Sequence, residues 1–525
     1  MDGAHGARAD ARPALEPVRP RDVVTFLAMV LGMFMAILDI QIVASSLSEI
    51  QAGLAASPDE ISWVQTSYLI AEVVMIPLSG MLARILSTRV LFSLSAASFT
   101  LASAACAFAW DLPSMILFRA LQGFLGGAMV PLVFSASFIL FPLERRPLVT
   151  VIIGLVATLA PTLGPTLGGW LTETLDWRWL FLVNVLPGIA TATLGWALIR
   201  IDRPNLALLR GFDVPGLVFM ALFLGSLQYV VEEGARNDWF EDGSIRAFAA
   251  VSAAGALLFF WRVLAYRQPI VDLRAFLNRN FAVGCLYSFV LGVGLYGSIF
   301  LLPMFLARVR GLNALQIGVI MMVTGVAQFL SAPLAAALSR RLEMRAMLAL
   351  GLVLFGLGVW LNSFLTNQSG FWELFLPQAV RGVSLMLCFM PINTLALGTL
   401  PQETLKNASG LYNLMRNLGG AIGLAFFNTL LIERFALHAE RLSEHVTLSR
   451  PDVAAYVDAL AGRLGALMPG DAQLAATKIV MRLVEREATV LTFNDCLQVM
   501  ALVFVGALLL MPILRRPPRP GSRPG

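Results

Sequence analysis

Two carboxylates and three guanidiniums stand where a chain this apolar has no cheap place for charge. Asp39 lies in Leu38-Asp-Ile-Gln-Ile-Val and Glu72 in Tyr68-Leu-Ile-Ala-Glu-Val-Val, while Arg119, Arg381 and Arg416 each interrupt another apolar run. An ionisable side chain deep in a membrane helix costs about 2.5–3.5 kcal/mol on insertion scales, so each is a functional candidate by default. Low dielectric favours the neutral form of a carboxyl, and a nearby guanidinium favours the charged form. A carboxyl that moves between those surroundings can take up and release a proton near neutral pH, which is what proton coupling requires. The plainer reading is a static Arg–Asp pair tying helices together and, for Glu72, simple solvation in a water-filled cavity. The residues alone leave both open. Histidine and cysteine do not compete for the role. His5, His438 and His445 lie outside the apolar runs, and Cys106, Cys285, Cys388 and Cys496 are scattered singly, without metal-ligand or disulfide spacing.

Helices long enough to cross a bilayer must hold these residues. Of 525 residues, 58% are hydrophobic and 14% charged, against about 25% charged in soluble domains. That balance excludes an ordinary soluble enzyme or a nucleic-acid-binding protein. A crossing helix needs about 20 apolar residues. Such segments fall at 23–45, 60–81, 90–109, 113–141, 147–170, 178–199, 212–231, 246–265, 281–305, 314–338, 346–365, 372–399, 408–431 and 492–514. The first is too long for a signal-peptide core and lacks a small-residue cleavage site, so it reads as a retained span. The expected fold class is an all-α integral membrane protein with fourteen transmembrane helices.

Basic residues set the orientation. One set of connections holds 23 of them: Arg8, Arg12, Arg19 and Arg21, then Arg84, Arg89, Arg145, Arg146, Arg200, Arg203 and Arg210. It continues with Arg262, Arg267, Arg274, Arg279, Arg340, Arg341, Arg345, Lys406, Arg515, Arg516, Arg519 and Arg523. The alternate short loops hold Arg178, Arg236, Arg246, Arg308 and Arg310, with acids such as Asp59, Glu60, Asp111, Glu173, Asp176, Glu233, Asp238, Glu241 and Asp242. This split places both termini in the cytoplasm. The formal charge of +5 therefore reports topology, and no nucleic-acid partner is expected. Bases within 432–490 are set aside, because long loops cross largely regardless of charge.

The halves repeat weakly. Pro77-Leu-Ser-Gly-Met-Leu-Ala-Arg84 has a counterpart in Ala332-Pro-Leu-Ala-Ala-Ala-Leu-Ser-Arg340, and Arg119-x-x-Gln-Gly123 in Arg381-Gly382, at offsets of about 255–262 residues. Internal repeats of this kind are common in secondary transporters, which bind substrate near the midplane between them. The expected layout is a cytoplasmic tail (1–22), an N-terminal six-helix bundle (23–199), two extra helices with linkers (200–280), a C-terminal six-helix bundle (281–514) and a disordered cytoplasmic tail (515–525). Span 5 carries Ala160-Pro-Thr-Leu-Gly-Pro-Thr-Leu-Gly-Gly169. Its prolines and glycines suit either a bent helix that lets the halves rock or plain small-residue packing. Gln328, Gln378, Asn393 and Asn413 are candidates for polar contacts in a substrate cavity, though hydrogen bonds between helices are the commoner use of such amides.

With these motifs in place, the chain resembles the major facilitator superfamily over about residues 23–514. Arg119-Ala-Leu-Gln122-Gly123-Phe-Leu-Gly-Gly127 is similar to its motif B, and Gly164-Pro165-Thr-Leu-Gly168-Gly169 to motif C, which marks its antiporters. Leu38-Asp-Ile-Gln-Ile-Val resembles motif D of the 14-span drug:proton antiporter branch. Trp177-Arg-Trp-Leu-Phe-Leu-Val-Asn-Val-Leu-Pro-Gly188, Gln268-Pro-Ile-Val-Asp-Leu-Arg-Ala-Phe276 and Phe389-Met-Pro-Ile-Asn-Thr394 also resemble that branch, nearest its EmrB-like multidrug exporters. The resemblance implies two six-helix bundles with two additional central helices. It implies that Asp39 takes part in proton coupling, that Arg119 is its embedded basic partner, and that Gly164 and Pro165 support the antiport conformational change. Motif A departs from the family: its aspartate is Arg84 here and a later glycine is Ser87, so the family's charge relay cannot be assigned at that position.

The expected function is proton-coupled efflux of amphipathic or hydrophobic toxic compounds across a bacterial inner membrane, driven by the proton gradient without a cofactor. The coupling candidates are Asp39, Glu72 and Arg119; Arg381 and Arg416 are the buried charges of the second half. The polar stretch 432–490, helical in its apolar spacing, is expected outside. There it is either a docking surface for a periplasmic adaptor (a membrane-fusion protein, with an outer-membrane channel beyond) or a solvated helical loop. The alternatives are a proton-coupled importer, or an exporter of one specific metabolite or lipid-like compound, on the same fold. Against a membrane enzyme, no catalytic triad spacing or phosphate-binding loop is present.

Overall fold

The computed structural model describes residues 19–57, 60–142, 145–339, 341–465 and 471–515. The expectations for Arg8 and Arg12, for Asp59 and Arg340, and for the tail bases Arg516, Arg519 and Arg523 lie outside the described residues. Among those described, fourteen helices are long and apolar enough to cross a membrane, one at each expected place. They are α1 (Pro20–Ser45), α2 (Trp63–Leu86), α3 (Thr88–Ala107), α4 (Leu112–Leu140), α5 (Leu148–Thr174), α6 (Trp179–Leu198) and α7 (Val214–Glu233). The rest are α8 (Gly243–Ala265), α9 (Arg279–Arg308), α10 (Leu315–Leu338), α11 (Met344–Asn362), α12 (Phe371–Leu397), α13 (Leu405–His445) and α14 (Ala472–Ile513). The chain is an all-α, multi-pass membrane protein.

Helices dominate because hydrocarbon offers no water to unpaired peptide groups, so each crossing segment must satisfy its own backbone. Where helices emerge, side chains take over. Asp111 caps α4 and exchanges hydrogen bonds with Ser114, which hold its carboxyl below the usual carboxylate range. Asp213 caps α7 and also accepts from Arg262 Nε at 2.9 Å, joining the start of α7 to the end of α8. Outward faces stay apolar, as Leu101, Leu257 and Leu264 illustrate.

Packing repeats between the halves. In the first, α1 packs on α5, α2 on α4, and α3 on α6; in the second, α9 packs on α13, α10 on α12, and α11 on α14. The repeat is exact enough to see in two glycines. A Cβ on Gly123 would stand 2.3 Å from Tyr68 O, and one on Gly382 would stand 2.3 Å from Thr324 O. The halves meet along α2 with α13 and α5 with α10. The additional pair α7–α8 lies at this seam, with α7 against α2 and α13.

At the end of the bundle carrying both termini the halves are in close contact. Cβ atoms added to Gly80 and Gly410 would come within 2.8 Å of Asn407 Cα and 2.9 Å of Ile76 O. Lys406, in the first turn of α13, forms an ion pair with Asp202, just past α6, and donates to Ala83 O at 3.2 Å. Asp202 in turn accepts from Thr88 N at 2.9 Å.

At the opposite end, the polar stretch 432–490 is chiefly helical and continues the spans. Helix α13 runs unbroken to His445, and α14 begins at Ala472. Between them the helix Pro451–Gly465 packs back through Val457 and Ala461 onto Ala476 and Val480. At 1.5 Å per residue, α13 is about 60 Å long, roughly twice the hydrocarbon thickness. Its apolar part ends near the expected boundary; its helix continues, with Leu437, His438 and Leu442 half-buried and His438 bonded to Asp495 of α14.

Candidate functional site

Asp39 sits at the centre of the first half with no solvent exposure. Arg119 Nη1 donates to its Oδ2 at 2.6 Å, Gln122 Nε2 to Oδ1 at 3.0 Å and Asn184 Nδ2 to Oδ1 at 2.7 Å. Three helices (α1, α4 and α6) thus converge on one carboxylate. Spacing explains the α4 contribution: Arg119 and Gln122 are three residues apart and share a helix face, and Arg119 Nη1 also donates to Gln122 Oε1 at 2.7 Å. Arg119 Nε donates to Val64 O at 3.0 Å, and the guanidinium lies 4.2 Å from the Tyr68 ring centroid. Asn184 is steadied by Ser103 Oγ at 3.2 Å, which itself donates to Phe181 O.

Such a pair is costly to bury and costly to break. Desolvation offsets much of the Coulomb attraction, and removing one partner strands the other. The additional donors are what make the burial tolerable, since each unmet buried group costs about 1–3 kcal/mol.

Glycines bring the helices close enough for this geometry. Gly123 meets the Tyr68 carbonyl, and a Cβ on Gly127 would lie 3.1 Å from Glu72 O. On the other side of α1, a Cβ on Gly164 would come 2.4 Å from Gln41 Cβ, and one on Gly168 would come 2.8 Å from Ser45 Oγ. The Gly-Pro motif of α5 therefore presses on α1 directly beyond Asp39. Gly169 is half-buried, and Pro165 turns to the central cavity.

That cavity, about 730 Å³, lies between α1, α2, α5, α7, α9 and α13, toward the end opposite the termini. Ser45, Ser62 and Arg308, at helix ends on that face, line its rim. A smaller recess continues inward from the shared wall of Gln41, Gln65, Glu232 and Tyr296 to reach Glu72. Glu72 is 5% exposed, and one helical turn separates it from Tyr68. Asp39 lines neither the cavity nor the recess, whereas the next two residues of α1, Ile40 and Gln41, face the recess.

The second-half charges are arranged differently. Arg416 Nη2 donates to Asn413 Oδ1 at 2.6 Å, and its guanidinium lies 5.2 Å from the Phe134 ring and 5.9 Å from Phe389, rings of opposite halves. Arg381 Nη2 donates to Thr324 Oγ1 at 3.1 Å, and its place in the repeat matches Gln122, since Gly382 matches Gly123. Gln378 then falls in the place of Arg119 and accepts from Thr324. Gln328 accepts from Thr158 and donates to Gly154 O at 3.3 Å, joining α10 to α5. Asn413 donates to Ser409 O, while both side-chain polar atoms of Asn393 are buried without a partner among the described residues. None of these four amides is on the wall of the central cavity.

Three site residues escaped the sequence reading. Asn184 lies inside the quoted Trp177–Gly188 motif, and an asparagine amid Leu-Val and Val-Leu was the available signal. Glu232 and Glu233 sit just past the expected end of the seventh span, where Glu233 counted as a loop acid. The helix instead continues through both, and Glu233, 5% exposed, accepts from Thr66 Oγ1 at 2.9 Å.

Two halves related by an internal repeat, closed at one end and enclosing a cavity toward the other, with a buried ion pair beside it, define a membrane transporter. The chain belongs to the Major Facilitator Superfamily, whose profile matches residues 29–424. It is 44% identical over 485 residues, 92% of its length and 94% of the relative's, to the colistin resistance protein EmrB of Acinetobacter baumannii. It is 29% identical to the multidrug export protein EmrB of Escherichia coli K12, covering 92% of this chain and 93% of that one. The fold matches the crystal structure of the human organic anion transporter MFSD10 (TETRAN) with a TM-score of 0.59 at 14% identity, over 94% of this chain and 100% of that one.

Proposed function

We propose that this transporter exports amphipathic or hydrophobic toxic compounds across a bacterial inner membrane in exchange for protons, with both termini in the cytoplasm. The observation that carries the reading is the Asp39–Arg119 pair, fully buried behind the wall of a cavity large enough for a drug-sized molecule. The names of the relatives, resistance and multidrug export proteins, support the direction of transport. In this conformation the cavity faces the periplasm and the cytoplasmic end is shut. A proton arriving from that side reaches Glu72 at the cavity wall before Asp39. Protonation of Asp39 weakens its hold on Arg119 and frees α1 to shift against α4 and α6, so that the halves rock toward the cytoplasm. An inward proton supplies about 2.3 kcal/mol per 100 mV of membrane potential, enough to bias an equilibrium between two conformations by more than tenfold.

The helices beyond the membrane, from Glu433 to Glu487, are proposed as the docking surface for a periplasmic adaptor. Their exposed apolar residues Phe435, Tyr456 and Leu474 support this reading. Replacing 446–471 by a short Gly-Ser linker should abolish co-purification of that adaptor; full retention would leave the segment a structural cap.

The test of function is a substrate panel. Purified protein in proteoliposomes with an imposed proton gradient should move several unrelated amphipathic dyes outward relative to the cell. Collapse of the gradient by an uncoupler should stop it. Movement of one metabolite alone would favour the narrower exporter on the same fold, and uptake with the proton would favour an importer.

A further inference from the structure

The efflux reading does not say what kind of compound the cavity prefers, and the extra helix α7 bears on that question. Two charged side chains line the inner recess, and both are acids: Glu72 from α2 and Glu232 from α7. Glu72 is 5% exposed, faces the recess, and receives no hydrogen bond or ion pair from any described residue. A buried polar group left in that state is expensive unless something else occupies the space beside it. Gln228, one turn before Glu232, also faces the recess and is 5% exposed.

The nearby guanidiniums stand behind the recess wall or at the cavity rim, and Arg119 Nη2 and Arg416 Nη1 are buried without a hydrogen-bond partner among the described residues. Arg119 is bonded to Asp39 and Gln122, and Arg416 to Asn413 between two aromatic rings; neither lines the cavity. Arg236 and Arg308 do line the outer cavity, but both are exposed at its mouth, where water and salt screen them. Tyr296 and Phe300 add aromatic surface to the same wall.

The placement of Glu232 is held firmly. Its neighbour Glu233 is tied to Thr66 of α2. Just beyond, Trp239 Nε1 donates to Thr429 Oγ1 of α13 at 2.9 Å. The turn that reaches across carries Asp238 and Trp239 at φ +50° and +54°, a conformation that costs energy for residues other than glycine. The end of α7 is thus fastened to both halves across the seam.

We propose that Glu232, with Glu72 and Gln228, forms a subsite for the positive group of an amphipathic cation, so that the extra helix α7 sets substrate charge preference. The inference rests on the efflux reading above. The carboxylates face the cationic group, Tyr296 offers its ring face, and the apolar wall of the larger cavity takes the hydrophobic portion.

The test compares tetraphenylphosphonium, a permanent cation, with N-phenyl-1-naphthylamine, a neutral amphipath, binding to the full chain in nanodiscs. Glu232→Gln should lower the ratio of cation affinity to neutral affinity at least tenfold, and Glu232→Asp should restore most of it. An unchanged ratio in Glu232→Gln overturns the subsite. A second measurement needs no variant: carbodiimide modification of Glu232 in the wild-type chain, read by mass spectrometry, should slow several-fold with saturating tetraphenylphosphonium. Modification unaffected by the cation also overturns the proposal. If the wild-type chain binds neither probe and moves neither in proteoliposomes, the efflux reading itself fails and the subsite falls with it.

Discussion

Arg119 and Asp39 meet over 2.6 Å, from α4 to α1, with both side chains shielded entirely from solvent. The next two residues of α1, Ile40 and Gln41, line the recess that opens off the central cavity. The pair is a structural tie between α4 and α1, and under the proposed function it is also the switch. The distinction between those roles is experimental, and the neighbours of the pair offer ways to separate them.

Asn184 supplies one of the donors to Asp39. Asn184→Leu keeps the branched heavy-atom shape and removes the donor, at a cost of about 1.5–3 kcal/mol for a hydrogen bond lost from a charged group. Efflux should fall roughly tenfold or more, with a measurable loss of thermal stability in detergent. Wild-type transport and melting in this variant would show that Asn184 contributes nothing to the site.

Close approach of α5 to α1 depends on Gly164. Gly164→Leu forces the helices apart at a point where even a Cβ would lie 2.4 Å from Gln41 Cβ. Transport should drop at least tenfold while protein still reaches the membrane. Gly243→Ala is the matched control, since a Cβ there meets nothing within 4 Å. Equal behaviour of the two variants would remove the packing argument.

At the closed end, Lys406 and Asp202 join the two halves beside the departed motif A. Asp202 holds both Lys406 and the start of α3, so it ties the halves at the end where Arg84 stands in place of the family's aspartate. Spin labels at Arg84 and Gln402 should report a short distance in the wild type and a population shifted several ångströms longer in Asp202→Asn. Reversing the pair (Asp202→Lys with Lys406→Asp) should recover part of the short population. No shift in Asp202→Asn would mean that backbone packing alone, around Gly80 and Asn407, keeps the end closed.

Orientation has a direct check. All four cysteines are buried, so a cysteine at exposed Ala455 reports with little background. An impermeant maleimide should label it from the periplasmic side; labelling from the cytoplasmic side alone would invert the topology.

Much of the fold was legible because hydrocarbon enforces it. Every expected span became a helix, since an uncharged stretch of that length has one way to satisfy its backbone. Asp39 and Arg119 could be singled out for the same reason, as charges where charge is costly. Their pairing was legible only through the family resemblance, because spacing between α1 and α4 says nothing about which faces meet. Boundaries failed where helices outran their apolar residues. Glu232 and Glu233 fall just outside the expected span because acids normally end one, and here they face a cavity and another helix instead of lipid. Likewise α13 continues as a polar helix that His438 and Arg434 tie to Asp495 of α14.

The central claim is that the Asp39 carboxyl couples protons to export. Asp39→Asn preserves shape and leaves the amide able to hydrogen-bond, while removing the titrating group. In proteoliposomes with an inward proton gradient, Asp39→Asn should bind amphipathic dyes within a few-fold of wild type yet show no gradient-driven efflux. Gradient-driven efflux at the wild-type rate in Asp39→Asn would contradict the account.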